Sequence, residues 1–504
     1  MNNNNLLDPY RAGESPALLL GGILLDGKLL PEAPVNLVLK SLNRHGLIAG
    51  ATGSGKTKTI QVLAEQLSLA GVPSLVMDIK GDISGLAMPG VASEFINDRN
   101  KSLGIASVMR GFPVELLTLG ESLKAVPMRA TVTDFGAILF ARMLDVNETQ
   151  SGAVTVIFEY AKEKKIPLID LADFKTLLQY TQTDAGKADI ESRFGAVAGS
   201  STGIILRKII ELEAQGGGAF FGEPAFNVMD LVRTSPQGEG IISILQLMNM
   251  QETPKLFSTF MLKLLTDVYR LLPELGDPPK PVLTLFIDEA HLIFNHASKA
   301  LLNLLDTMVK LIRSKGVSLI FCTQTPNDIP DAVLSQLGLK IQHALRAFTA
   351  KDRQAMKLVA QNFPPSEYYK TEQLLTSLGI GEALVTALDE KGQPTPLVQC
   401  MVRPPESRMG VITEQEMKSI VANSTLFATY RLRQVTRPAS ECLPENNGQG
   451  RVTNKGSATP AEQKAEPDML TSLSKNTLFR QIVRQVFREI TNVIMKALGL
   501  KKGR

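Results

Sequence analysis

From residue 45 onward, short apolar runs alternate with longer segments whose apolar residues recur at helical spacing. The runs 46–49, 74–77, 241–247, 282–287 and 317–322 are apolar at nearly every position rather than every second one, as in strands buried on both faces. The segments 56–70, 255–272 and 299–313 keep the three-and-four spacing of amphipathic helices. Strands alternating with helices in this way predict an α/β fold around a mainly parallel sheet. Ahead of it, 17–30 reads as a small hairpin turning at Asp26-Gly27. Between residues 131 and 233 the strand signal gives way to helical periodicity, with Phe158, Leu168, Leu171, Phe174, Leu177 and Leu178 on the stripe, and the segment is expected to be a helical insertion. A further strand at 340–345, a helix from Thr349, and a hairpin of 382–388 with 396–402 complete a core spanning 45–432 behind an N-terminal hairpin segment, 1–44.

The end of the chain changes character. Residues 433–469 are rich in Pro, Gly, Asn, Ser, Thr and Glu, the composition of a flexible linker. Residues 470–504 carry eight Lys/Arg and one Glu, so this short tail holds +7 while the whole chain is at +4 and residues 1–469 are at −3. Within the tail, apolar positions 479, 482, 483, 486, 487, 490, 493, 494 and 498 form a stripe with Arg480, Arg484 and Arg488 along its flank, a basic amphipathic helix. Such a helix packs on protein, lies on an anionic membrane surface or touches nucleic-acid phosphates, and the residues leave all three open. The core is not basic, and with no Trp and 5% aromatics it offers no stacking platform for single strands. Three scattered cysteines make neither a disulfide framework nor a zinc cluster. No run reaches the roughly 18 apolar residues of a spanning helix. The expected location is the cytoplasm, with a peripheral membrane association through the tail as the variant.

The chemistry begins at Gly50-Ala51-Thr52-Gly53-Ser54-Gly55-Lys56-Thr57, which fits G-x-x-x-x-G-K-[ST] between an apolar strand and an amphipathic helix. The glycines let backbone N–H groups turn inward around phosphates, and the helix N-terminus adds its partial positive charge. Lys56 is placed to reach the β and γ phosphates, and Thr57 to ligate Mg²⁺. The run 283–287 ends on Asp288-Glu289. Asp288 is the metal-side carboxylate, and Glu289 the residue that polarises the water attacking the γ phosphate. Gln324 follows the strand 317–322 and is either a γ-phosphate sensor or a strand-capping amide. Arg313 and Arg346, with Arg44 behind them, are candidates for the positive side chain that phosphoryl transfer uses, supplied within a subunit or from a neighbour. Asp78, in Asp78-Ile79-Lys80-Gly81-Asp82, either faces the metal or belongs to a plain turn. His291 reads as a structural or supporting histidine.

In the order of its pieces the chain resembles the HerA/FtsK superfamily of translocases. The stretches 44–57 (RHGLIAGATGSGKT), 78–86 (DIKGDISGL), 286–292 (FIDEAHL) and 342–349 (QHALRAFT) are similar to bacterial HerA-like proteins of the DUF853 (YjgR-like) group. The resemblance implies a RecA-like ASCE P-loop core, ATP with Mg²⁺ between neighbouring subunits of a homo-hexameric ring, an arginine contributed across that interface, and double-stranded DNA as the polymer moved. One departure stands out: archaeal HerA places a substantial β-barrel before the P-loop, whereas here the P-loop opens at Gly50. That weakens the carry-over of a nuclease partner, whose docking surface would need to be rebuilt elsewhere. Two rivals accompany the DNA-motor expectation, namely an ATP-switched scaffold docking on membrane or protein through 470–504, and a motor acting on protein.

Overall fold

A computed structural model describes residues 4–443, apart from 12, 107, 121, 248–253, 296–298, 348 and 435–436. The expected basic helix, and the expected linker beyond residue 443, lie outside the described residues. Twelve strands form one sheet: β1 (Ala17–Leu25), β2 (Lys28–Val38), β3 (Gly46–Ala49), β4 (Ser74–Asp78), β5 (Val114–Thr118), β6 (Val126–Pro127), β7 (Ile242–Gln246), β8 (Leu283–Ile287), β9 (Val317–Thr323), β10 (Leu339–His343), β11 (Glu382–Thr386) and β12 (Val398–Val402). Their order is β2-β1-β12-β11-β10-β3-β9-β8-β4-β7-β5-β6. Pairing is parallel from β10 to β6 and antiparallel from β10 out to β2.

The central strands β3, β8 and β9 are buried at every position, which is why their sequences are continuous apolar runs. Alternate side chains enter two cores. Leu47, Ala49, Met77, Ile287 and Phe321 face the helices Pro254–Leu271 and Lys299–Ile312 together with the helical segment 132–231. Ile48, Val76, Phe286, Ile320 and Cys322 face the helix Lys56–Leu69 and the N-terminal hairpin.

The helical segment starts its turns on sequence-local caps. Thr131 with Asp134, Asn147 with Gln150, and Asp170 with Asp173 each close a reciprocal capping box. Its centre is a cluster of rings, Phe135, Phe140, Phe158, Phe174, Phe220 and Phe221, continuous with the core on that face of the sheet.

Three features differ from the sequence reading. The hairpin expected as a separate N-terminal segment is the outer part of the main sheet, because β1 pairs with β12 in the register Gly21↔Val402. The strand β5, with the charged Glu115 inside a short run, escaped the pattern; Glu115 is accommodated by Arg233 at 3.1 Å. At the start of the expected linker, Ala439 is fully buried and its N–H donates to Asp173 Oδ1 at 2.9 Å, so the described residues 437–443 dock on the helix Leu171–Tyr180. Among the described residues no helix is long and apolar enough to cross a membrane.

Candidate nucleotide-binding site

Parallel register sets the site. Ala49 pairs with Thr323, and Ile287 with Phe321, so Gly50, Asp288 and Gln324 all leave the sheet at the same carboxyl edge. In open parallel sheets this edge is where ligands bind. The loop after β3 turns on Gly50 (φ 152°), Gly53 (φ 78°) and Gly55 (φ 120°) and runs into the helix Lys56–Leu69. A side chain at Gly50 would meet His343 Cβ at 2.6 Å, and one at Gly55 would meet the backbone of Gly381 at 3.2 Å. Glycine is required at both places by conformation and by space. Thr52 and Gly53 are exposed at the tip of the loop, whereas Ser54 is buried, its hydroxyl donating to Ala51 O at 2.7 Å.

Lys56 is 6% exposed, and its ammonium donates to Gly50 O at 2.5 Å and Ala51 O at 3.1 Å. Burial, then the like charge of Lys80, lowers its pKa. Beneath the loop, His343 Nδ1 lies 2.8 Å from Glu382 O and Nε2 lies 2.9 Å from Thr59 Oγ1. These partners fix Nδ1 as the protonated nitrogen and Nε2 as the acceptor of the threonine hydroxyl.

Asp288 and Glu289 are 6% and 4% exposed. Burial pushes the Asp288 carboxyl up to about 6, with the Lys80 charge pulling the other way. Glu289 takes the left-handed backbone at φ 46°, which turns its side chain away from the strand direction. Its Oε1 is 2.7 Å from Lys80 Nζ. Its Oε2 is buried without a hydrogen bond; His291 Nδ1 lies 3.2 Å away but outside hydrogen-bonding geometry.

The loop after β4 is the part of the site that the sequence left undecided. Asp78 does not face the phosphate side. Its carboxylate accepts from the backbone N–H of Gly81 (2.6 Å), Asp82 (3.3 Å) and Ile83 (3.3 Å), and so folds the loop. Folding it delivers Lys80 to Glu289 and sets Asp82 Oδ2 3.4 Å from Thr57 Oγ1. Asp82 Oδ1 is buried and unpartnered. In sequence Lys80 and Asp82 are indistinguishable from a charged turn, because β4 is separated from β3 by β9 and β8 and only the sheet order brings them in.

Gln324 and Arg346 are exposed and line one open cleft of about 480 Å³ with Ala51, Thr52, Asp352 and Met356. Arg313 is not brought to this edge. It precedes β9, a strand of seven residues, and therefore sits roughly 20 Å from the tip that carries Gln324. There it lines a second cleft, of about 590 Å³, with Arg44, His45, Lys310 and Lys340.

A divalent cation fits the residues beside Thr57. Asp288 is buried, Asp82 has an orphaned oxygen, and Asp82 Oδ2 lies 3.4 Å from the Thr57 hydroxyl in the first turn of the helix. Among the described residues no group of three or more His, Cys, Asp or Glu side chains forms a metal cage. This donor set suits Mg²⁺, which is commonly held by one or two carboxylates together with substrate phosphates.

A family model described as helicase HerA-like, C-terminal, matches residues 25–502. No curated protein matches the chain. Among solved structures, the plasmid coupling protein TrwB in complex with ADP and Mg²⁺ superposes with a TM-score of 0.52 at 14% identity, covering 82% of this chain and 95% of that one. Its complex with the ATP analogue ADPNP gives 0.52 at 14% identity, covering 82% and 94%. VirB4 of Thermoanaerobacter pseudethanolicus gives 0.45 at 18% identity, covering 78% and 97%. The likeness to TrwB marks the RecA-like P-loop fold, and the match over nearly the whole length settles the kinship: the chain belongs to the HerA-like helicase family.

Proposed function

We propose that this protein hydrolyses ATP with Mg²⁺ and, as a homo-hexameric ring, moves double-stranded DNA. One observation carries the hydrolytic part: the P-loop, the Asp288-Glu289 pair and Gln324 converge on a single sheet edge, and the buried Glu289 carboxylate keeps one oxygen free of hydrogen bonds. Backbone N–H groups of Gly50 to Gly55 and the ammonium of Lys56 hold the phosphates. In binding them, Lys56 exchanges its two loop carbonyls for phosphate oxygens. Glu289 orients the attacking water and takes its proton, and Gln324 reads the terminal phosphate from the neighbouring strand tip. Thr57, with Asp288 and Asp82, holds Mg²⁺, which neutralises phosphate charge. The TrwB complexes with ADP and Mg²⁺ and with ADPNP support this assignment.

Ring formation and DNA come from the family, whose description is a helicase. Within it, the stretches at 44–57, 78–86, 286–292 and 342–349 favour the DUF853 (YjgR-like) group. Arg346 acts on the cleft of its own subunit, beside Thr52 and Gln324. Arg313 lies at the opposite edge and serves the site of an adjacent copy. We assign the protein to the cytoplasm, with residues 470–504 as a docking element for a membrane surface or a protein.

The test is the steady-state ATPase rate with and without long double-stranded DNA at physiological salt, with Glu289→Gln as the blank. The expected result is stimulation of several-fold or more that grows with DNA length. A rate no higher than that of Glu289→Gln refutes hydrolysis. A robust rate indifferent to DNA refutes the DNA motor and turns attention to the scaffold and protein-motor readings.

A further inference from the structure

Lys80 has no part in the reading above, yet it occupies the centre of the site. The Asp78 carboxylate, accepting three backbone N–H groups, holds the loop that carries it. The Lys80 ammonium is 2.7 Å from Glu289 Oε1, and the two side chains are 35% and 5% exposed. Lys80 is therefore the more accessible partner of an ion pair whose carboxylate is sealed in. Its charge also acts on Asp288, Asp82 and Lys56, so two ammonium groups and three carboxylates share one small volume. Lys56 turns back onto its own loop carbonyls and Lys80 onto Glu289.

We propose that Lys80 is a second phosphate-binding lysine, which leaves Glu289 to contact the terminal phosphate of a bound nucleoside triphosphate. The proposal rests on the reading of the P-loop as an ATP site. Three physical points support it. A terminal phosphate offers more charge and more acceptor oxygens than one carboxylate, so a lysine within reach of both prefers the phosphate. The lysine stem is flexible, and Lys80 is exposed enough to move, whereas Glu289 is fixed by burial and by its left-handed backbone. Finally, the exchange frees Glu289 Oε1 beside an Oε2 that already lacks a hydrogen bond, so the carboxylate becomes available to water only when a triphosphate is present. A diphosphate, held by Lys56 and the loop, leaves the Lys80–Glu289 pair in place.

The experiment measures the dissociation constants of ADP and of the β,γ-imido ATP analogue, both with Mg²⁺, for the full chain and its variants. Lys80→Ala is expected to bind ADP within about twofold of wild type, which also reports an intact fold, and to bind the analogue at least ~10-fold more weakly, the usual effect of losing a charge-assisted contact. Glu289→Gln, which removes the competing carboxylate, should tighten the analogue and leave ADP unchanged. Equal effects of Lys80→Ala on both nucleotides, or no effect on either, overturn the role of Lys80 while leaving the ATP site standing. Failure of the wild type to bind either nucleotide, or ADP binding by Lys56→Ala equal to wild type, overturns the ATP site itself and the proposal with it.

Discussion

His343 links acidity to the floor of the P-loop, and replacing it with glutamine tests the link quantitatively. The ring is fully buried beneath Gly50 and Gly55, with Nδ1–H on Glu382 O and Nε2 accepting from Thr59. Burial, reinforced by the charge of Lys56 and opposed by the Glu382 bond, lowers its pKa from 6.5 to about 4. The folded pKa is thus depressed, and between pH 6.5 and 4 the unfolded chain binds more protons than the folded one. The stability contributed by the neutral ring is complete above pH 6.5 and lost as pH falls toward 4. At pH 5 the loss is 1.5 pH units at 1.36 kcal/mol each, about 2 kcal/mol. Wild-type stability alone would not isolate this, since His45 is buried with a pKa near 4 and loses as much, while Glu65, pushed up to about 7, gains as pH falls. The difference between variants does isolate it. In urea denaturation, the destabilisation caused by His343→Gln should be smaller at pH 5 than at pH 7 by about 2 kcal/mol. A penalty equal at the two pH values within ~0.5 kcal/mol would refute the neutral, double-bonded ring, because a histidine that titrates normally shows no such difference.

Arg313→Ala should depress ATP turnover, and mixing it with Glu289→Gln subunits should restore part of the rate, because the intact Glu289 of one then meets the intact Arg313 of the other. Turnover of the mixture no greater than the sum of its parts would remove Arg313 from the transfer step. Phe174→Ala removes a fully buried ring packed 4.7 Å from Phe140 and 5.9 Å from Phe158, and should cost about 3–5 kcal/mol in urea denaturation while leaving ADP affinity of the folded chain unchanged. A cost under ~1 kcal/mol would mean that the ring cluster does not hold the helical segment to the sheet.

What the residues fixed by themselves were the features that depend on neighbours in sequence. The P-loop is legible because the glycines, the lysine and the threonine of one phosphate cradle are consecutive, and because Gly50 and Gly55 are dictated by backbone conformation. The strands β3, β8 and β9 are legible because burial on both faces leaves unbroken apolar runs, and the helical segment because Phe158, Phe174, Leu177 and Leu178 recur at helical spacing on its buried side. Asp288, Glu289 and Gln324 followed, since a residue at the end of a recognised parallel strand has its edge determined in advance. Sheet order lies beyond that reach. It is set by which faces bury the most apolar surface, summed over the whole chain, and it puts Lys80 on Glu289 from the adjacent strand and Asp82 beside Thr57 across two intervening strands. The same global pairing turned the N-terminal hairpin into the rim of the main sheet, whereas the far-edge position of Arg313 follows from its place before β9. Local chemistry wrote the phosphate cradle, and long-range packing decided which charges surround it.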